Sequence, residues 1–251
     1  MRLPQRIAIV ALFALFARGA LAADIIVSAA ASLTNAFTDI GKAYEKSHEG
    51  IRVVFNFASS GALLQQISRG APVDVFASAD QDTMDKAAQQ NLIVRGTRAD
   101  FCGNRLVLVA PGDSSLPIAS LQDLTAPGVA RIGISDPKTV PVGKYAKGAL
   151  DAAGLFAMLE PKFVKTLNVR QSLEYAARGE VEAAFVYATD AAVAGGKVRT
   201  LLQVDTPTPI SYPIAVVKGN GKERISTQFV QFVNSPEAQQ ILSRYGFLPA
   251  P

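Results

Sequence analysis

Apolar runs alternate with amphipathic helical patterns along most of the chain. In the first half, "DIIVS" precedes a helical pattern over 33–47, "IRVVFNF" precedes one over 61–69, and "VDVFAS" precedes one over 81–90. Apolar positions recurring every three to four residues indicate helices, and short apolar runs between them indicate buried strands. The order strand, helix, strand predicts a parallel sheet with right-handed crossovers.

The same alternation begins again in the second half. The run "ARIGIS" precedes a helix over 142–153, and the weak strand "KFVKTL" precedes a helix over 169–178, after which comes "EAAFVYA". Two further apolar runs, "NRLVLVAPG" and "ISYPIAVVKG", connect the halves, and a helical segment ends the chain. The pattern therefore predicts two α/β lobes joined by two crossings, with a ligand cleft at the carboxyl ends of the strands.

Residues 1–22 have the pattern of a secretory signal peptide. A basic start, "MRLPQR", is followed by the ten apolar residues "IAIVALFALF" and by the small-x-small site "ALA" at 20–22. This apolar run is too short to be a permanent membrane span. We therefore expect an exported mature chain, with 23–103 and 213–251 in lobe 1 and 104–212 in lobe 2.

Composition excludes several function classes. The net charge of +4 falls to near +1 when the three arginines of the predicted signal peptide are removed. Without a basic run, such a balance gives no support to nucleic-acid binding. The single cysteine, Cys102, has no partner for a disulfide or a thiolate metal cluster, and we expect a structural thiol there.

Four predicted helices begin after residues with little side-chain bulk, at Ser32, Ser60, Val142 and Val169. The first N–H groups of a helix have no acceptor within it, and the positive end of the helix dipole favours an anion. Two starts come from each half of the chain, so all four can face one cleft. The alternative for each serine is ordinary N-capping.

Three further side chains lie near these positions in the sequence. Tyr187 ends an apolar strand, where its hydroxyl either donates to a ligand or bonds to a backbone carbonyl. Lys144 and Arg170 follow two of the helix starts. They either strengthen the positive field of the cleft or, as we expect, are solvated residues of a first helical turn.

An enzyme is the weaker interpretation. "SDPK" at 135–138 matches the S-x-x-K nucleophile motif, but S-D-N and K-T-G are missing from the sequence. The single histidine lies outside the predicted cleft, which argues against a Ser-His-Asp triad. A serine hydrolase is therefore a distant alternative, and an exported adhesion or scaffold protein finds no positive support.

Seven stretches resemble the periplasmic molybdate-binding protein family, and they cover essentially the whole mature chain in order. They are "AAASLTNAF", "FASSGALLQQI", "GAPVDVFASADQ", "VPVGKYAKGAL", "VYATDA", "YPIAVV" and "SPEAQQILSRYGF". The resemblance implies a type II periplasmic binding protein. In such a fold each lobe is a mostly parallel sheet flanked by helices, two crossover strands join the lobes, and a cleft lies between them.

The resemblance also implies a ligand and a partner. The ligand is molybdate or tungstate, and a monomeric protein in the periplasm delivers it to an inner-membrane ABC permease and its ATPase, with no cofactor and no nucleic acid. A receptor for sulfate or another tetrahedral oxyanion is the alternative. The implied ligand set has no direct protein–metal bond and consists of Ser32, Ser60, Val142, Val169 and Tyr187.

Two positions depart from the pattern of that family. Val142 stands where alanine is common, which keeps a backbone donor but adds methyl groups to the cleft. Gly61 stands where many relatives have a further serine, which leaves fewer hydroxyl groups.

Overall fold

The structure, a computed structural model, describes residues 23–219 and 221–251. The predicted signal peptide, 1–22, lies outside the described residues. Within these ranges, no helix combines the length and apolar character needed to cross a membrane.

The described residues form ten strands and nine α-helices. The strands are β1 (Ala23–Ala30), β2 (Ile51–Ala58), β3 (Val75–Ala77), β4 (Ala99–Asn104), β5 (Leu106–Pro111), β6 (Ile132–Ser135), β7 (Phe163–Thr166), β8 (Ala183–Tyr187), β9 (Val198–Val204) and β10 (Ile210–Val216). The helices are α1 (Thr34–Ser47), α2 (Ser60–Ser68), α3 (Gln81–Gln89), α4 (Pro141–Ala152), α5 (Phe156–Leu159), α6 (Val169–Ala177), α7 (Ala188–Ala194), α8 (Glu223–Val233) and α9 (Pro236–Arg244).

The strands form two five-stranded sheets, each at the centre of one lobe. The first has the order β2-β1-β3-β10-β4 and the second β7-β6-β8-β5-β9. Strand β1 runs parallel to β2 and β3, and β6 runs parallel to β7 and β8. Strands β10 and β5 run antiparallel to their neighbours. The predicted two-lobed α/β fold is confirmed, with mixed sheets because these two strands oppose the others.

The chain passes between the sheets twice. The first crossing is at Arg105, between β4 and β5, and the second comprises 205–209, between β9 and β10. The two apolar runs predicted to join the halves thus supply β5 and β10. Since β10 begins at Ile210, the predicted lobe boundary at 213 falls inside this strand, and the lobe limits remain a prediction.

The helices predicted outside the C-terminal segment agree with the structure to within a residue or two, whereas the short helices α5 and α7 were not predicted. Near the C terminus the predicted helical segment is two helices, because Ser235 caps a new helix whose first residue is Pro236. Proline fits the first position of a helix but not its interior. The sequence analysis also missed β4, "ADFCGN", which ends with the buried residues Cys102 and Asn104.

Candidate functional site

All five predicted site residues line one cavity between the lobes, Ser32, Ser60, Val142, Val169 and Tyr187. At most 3% of the surface of any of them is exposed. Only about 10 Å³ inside this cavity admits the centre of a water-sized sphere. That is far below the roughly 300–1,000 Å³ of pockets for drug-sized ligands, so the cavity suits only a very small ligand.

Ser32 lies in a 3-10 turn, Ala31–Leu33, between β1 and α1. Its side chain caps neither this turn nor α1, so the ordinary N-cap interpretation does not apply. Instead its Oγ lies 3.0 Å from the hydroxyl of Tyr212. Small residues precede it, Ala29 to Ala31, and these leave the start of the turn open towards the cavity.

Ser60 is the first residue of α2, and Ser59 is the N-cap residue without a capping side-chain bond. The Oγ of Ser60 accepts a hydrogen bond from the backbone N–H of Ala79 at 3.0 Å. Its hydroxyl proton is therefore free for another acceptor. The simple capping interpretation is wrong here too, because this side chain bonds to a neighbouring loop.

Val142 and Val169 contribute backbone N–H groups from the second lobe. Val142 is the second residue of α4, after Pro141, and Val169 is the first residue of α6. Helix geometry supplies no acceptor for N–H groups at these positions. Neither N–H donates to a backbone acceptor outside its helix among the described residues. Asn168 caps α6 through the N–H of Gln171 and leaves that of Val169 available.

The hydroxyl of Tyr187 is buried without a hydrogen-bond partner among the described residues. A buried polar group usually has a partner, and leaving one unpaired costs about 1–3 kcal/mol. Burial raises the pKa of Tyr187 well above its ordinary value, so the phenol remains protonated at neutral pH. The residue therefore offers a hydrogen-bond donor at the wall of the cavity.

Neither Lys144 nor Arg170 is a solvated residue, contrary to the expectation from sequence. The ammonium of Lys144 lies 2.6 Å from a carboxylate oxygen of Asp80, which joins α4 to the first lobe. The Nε of Arg170 lies 2.6 Å from the buried carboxylate of Asp190, and its Nη2 donates to the Ser32 carbonyl at 3.4 Å. Both cations have anionic partners, and neither is among the residues that line the cavity, which include no positively charged side chain.

Gly61 allows the two lobes to meet at the edge of the cavity. Its N–H donates to the carbonyl of Thr139 at 3.1 Å. A Cβ atom at this position would lie 2.3 Å from the same oxygen. A serine at position 61 would therefore collide with Thr139 in this closed arrangement, which gives a steric reason for the glycine.

A larger cleft, in which about 540 Å³ admits the centre of a water-sized sphere, lies beside α3 and α4. Its walls include three carboxylates, those of Asp80, Asp82 and Asp100, against one cation, Lys144, and this excess of negative charge disfavours an anion. None of the five predicted residues lines it. The small cavity is therefore the candidate site.

Sequence reasoning missed the residues behind the cavity wall, above all Tyr212 and Asn104. Asn104 Nδ2 donates to Tyr212 at 3.3 Å and to Thr189 Oγ1 at 2.9 Å. These residues come from β4, β10 and α7, and no local pattern brings them together. The only signal was a polar residue within each apolar run, "FCGN" and "ISYP".

Two lobes closed over a buried, donor-lined cavity define a solute-binding protein. The chain belongs to the bacterial extracellular solute-binding protein family, whose model matches residues 25–248. It is 40% identical to the molybdate-binding protein ModA of Escherichia coli K12 over 228 residues, which cover 89% of this chain and 88% of that protein. The resemblance to the molybdate-binding protein family is thus confirmed.

Solved structures share the fold. The periplasmic molybdate-binding protein of Azotobacter vinelandii has a TM-score of 0.79 at 24% identity and covers 90% of this chain and 100% of its own. The sulfate-binding protein SubI of Mycobacterium tuberculosis also has a TM-score of 0.79, at 17% identity, with 90% and 87% covered. The fold is therefore common to receptors of different oxyanions. It does not by itself identify the ligand, which depends on the residues of the site.

Proposed function

We propose that this chain is a periplasmic receptor that closes over molybdate, or equally tungstate. The oxyanion is held by backbone N–H and side-chain O–H groups, without a protein–metal bond. The donors are Ser32, Ser60, Val142, Val169 and Tyr187. The observation that carries this proposal is the buried Tyr187 hydroxyl, unpaired among the described residues at the wall of a cavity lined by the other four.

The donor chemistry favours an oxyanion over other small ligands. The lining residues offer N–H groups at helix starts and four hydroxyl groups, those of Ser32, Ser59, Ser60 and Tyr187, but no carboxylate, so a cation would lack anionic ligands. Helix N-termini stabilise negative charge without a charged side chain. A compact dianion can use donors from both lobes at once, which couples its binding to closure.

The choice of molybdate rests on the relatives. A protein 40% identical over nearly the whole chain is named as molybdate-binding. Since family membership also implies transport, the partners we propose are an inner-membrane ABC permease and its ATPase, which receive the ion from a monomeric, non-enzymatic receptor in the periplasm.

Calorimetric titration of residues 23–251 with molybdate, tungstate and sulfate tests this function. We expect tight, one-to-one binding of molybdate and tungstate and weaker binding of sulfate. No heat with molybdate would contradict the proposal, and tighter sulfate binding would identify a sulfate receptor instead.

A charge variant locates the site in the same titration. Ser60→Asp places a carboxylate against the dianion in a buried cavity, where repulsion is little screened, and should abolish molybdate binding. Ser235→Asp is the matched control, because aspartate can replace serine as the N-cap of α9 away from the cavity. Equal binding by both variants would exclude Ser60 from the site.

A further inference from the structure

The amide of Asn104 has a fixed orientation. Its Oδ1 accepts from the backbone N–H of Arg105 at 2.8 Å, so Nδ2 must face the other way. Nδ2 then donates to Thr189 Oγ1 at 2.9 Å and to the Tyr212 hydroxyl at 3.3 Å. Both amide hydrogens are thus used, and Asn104 offers Tyr212 only a donor.

This orientation determines the direction of the next hydrogen bond. The Tyr212 oxygen accepts from Asn104, and its own proton needs an acceptor because the side chain is fully buried. Ser32 Oγ, at 3.0 Å, is the acceptor in reach. If Ser32 donated to Tyr212 instead, the phenol proton would have no acceptor among the described residues.

The Ser32 oxygen is consequently occupied by a donor, and its proton is left for the cavity. Ser60 has the same arrangement by another route, since its Oγ accepts from the Ala79 N–H at 3.0 Å. Both serines therefore face the cavity as donors. A ligand that brings its own O–H group finds one lone pair on each of the Ser32 and Ser60 oxygens already engaged.

We propose that Tyr212 is a positioning residue that holds Ser32 as a hydrogen-bond donor to the bound oxyanion. Asn104, Tyr212 and Ser32 form a chain of hydrogen bonds, here called the relay, and Asn104 sets its direction. The relay selects oxyanions without a proton of their own, such as molybdate, over protonated ones, such as hydrogen phosphate. This inference rests on the proposed function of the cavity and adds two residues to its specificity.

A double-mutant cycle in molybdate affinity tests the relay. Tyr212→Phe should lower the affinity by about 3- to 10-fold, because Ser32 is no longer held as a donor. In a Ser32→Ala background the same change should have no further effect, since the group that Tyr212 positions is gone. A purely structural role for Tyr212 predicts the same loss in both backgrounds and would overturn the relay.

Tyr44→Phe is the matched control. Tyr44 is also fully buried, its hydroxyl has no partner among the described residues, and its ring packs against Phe229 and Phe232 instead of the cavity. We expect unchanged molybdate affinity in this variant. A loss equal to that of Tyr212→Phe would assign the effect to any buried tyrosine hydroxyl and would overturn the proposal.

Asn104→Asp reverses the relay. The new carboxylate can still accept from Arg105, but it also accepts from Tyr212, whose oxygen then takes the proton of Ser32. Because the added charge lowers molybdate affinity by itself, the effect of Asn104→Asp on affinity is measured both in the wild type and in a Tyr212→Phe background. The loss should be about 5-fold greater when Tyr212 is present. Equal losses would exclude a directional role for Asn104.

Selectivity gives an independent readout. In Tyr212→Phe the Ser32 oxygen is free to accept, so the ratio of molybdate to phosphate affinity should fall by about 10-fold. An unchanged ratio would contradict the relay. If the wild type binds no molybdate, the proposed function fails together with the relay. If the wild type binds normally and the effects of Tyr212→Phe and Ser32→Ala on affinity are additive, the relay alone is overturned.

Discussion

Gly61 and Thr139 meet across the cleft through a backbone hydrogen bond of 3.1 Å, and a Cβ atom on Gly61 would lie 2.3 Å from the Thr139 oxygen. The contact joins the first turn of α2 in one lobe to the loop before α4 in the other. Lobe closure therefore brings backbone to backbone at this point.

Gly61→Ala should weaken ligand binding without destabilising the free protein. The methyl group obstructs closure at a cost of about 1–3 kcal/mol, which corresponds to roughly 5- to 150-fold in affinity. Alanine is a better helix former than glycine, so the open form should be unharmed. Titration and thermal unfolding of the variant check this prediction. Wild-type affinity would mean that the bound form does not need this contact.

Val169→Pro should remove one donor from the ligand while keeping α6. Proline is accepted at the first helical position, and the preceding Asn168, with φ −164° and ψ 172°, is extended instead of helical, as proline favours in the residue before it. Loss of one charge-assisted bond, about 1.5–3 kcal/mol, should lower molybdate affinity by roughly 10- to 150-fold. The melting temperature of the free protein should change little. Unchanged affinity would remove Val169 from the site.

Tyr187→Phe separates a ligand donor from a structural hydroxyl. In the structure this hydroxyl has no partner among the described residues, so its removal should leave the free protein as stable as the wild type or more so. Molybdate affinity should fall by roughly 10- to 150-fold. Reduced stability with normal affinity would indicate a structural role.

Asp190 gives the stability a specific pH dependence. Burial raises its pKa to about 6 in spite of the opposing effect of Arg170, whereas the unfolded value is 3.8. The folded state therefore binds a proton more tightly. The resulting stabilisation is fully present below about pH 3.8 and is lost as the pH rises through about 6.

Comparison with Asp190→Asn isolates this contribution. Relative to the variant, the wild type should lose up to about 3 kcal/mol of unfolding free energy between pH 4 and pH 7. Urea denaturation of both proteins at the two pH values checks it. A difference that grows in favour of the wild type with rising pH would contradict the direction of the shift.

The sequence predicted the lobes and the positions facing the cavity because both depend on local patterns. Strand and helix periodicities located the elements, and the carboxyl ends of strands placed Ser32, Ser60 and Tyr187 on one side of the sheets. Helix starts reveal N–H groups from the sequence alone, since the first turn always lacks acceptors.

Contacts between distant segments could not be predicted in this way. Lys144 and Arg170 look solvated in a first helical turn. Lobe closure brings Asp80 of the first lobe to Lys144, whereas the packing of α7 against α6 within the second lobe brings Asp190 to Arg170. The bond between Ser32 and Tyr212 spans 180 residues. This bond depends on the return of β10 to the first sheet, which the periodicity of the sequence does not specify.

The cavity offers a bound oxyanion hydrogen-bond donors and no carboxylate acceptor, and a thermal-shift series with four oxyanions tests this property. A ligand at about 100 times its Kd adds roughly 2.7 kcal/mol to the stability of the folded state, so shifts at equal concentration rank the affinities. Hydrogen phosphate brings a donor for which the cavity offers no carboxylate acceptor, and sulfate, with shorter bonds, reaches fewer donors at once. We predict equal large shifts with molybdate and tungstate, a smaller one with sulfate and the smallest with phosphate. A phosphate shift as large as that of molybdate would show that the cavity does not select against an oxyanion with its own proton.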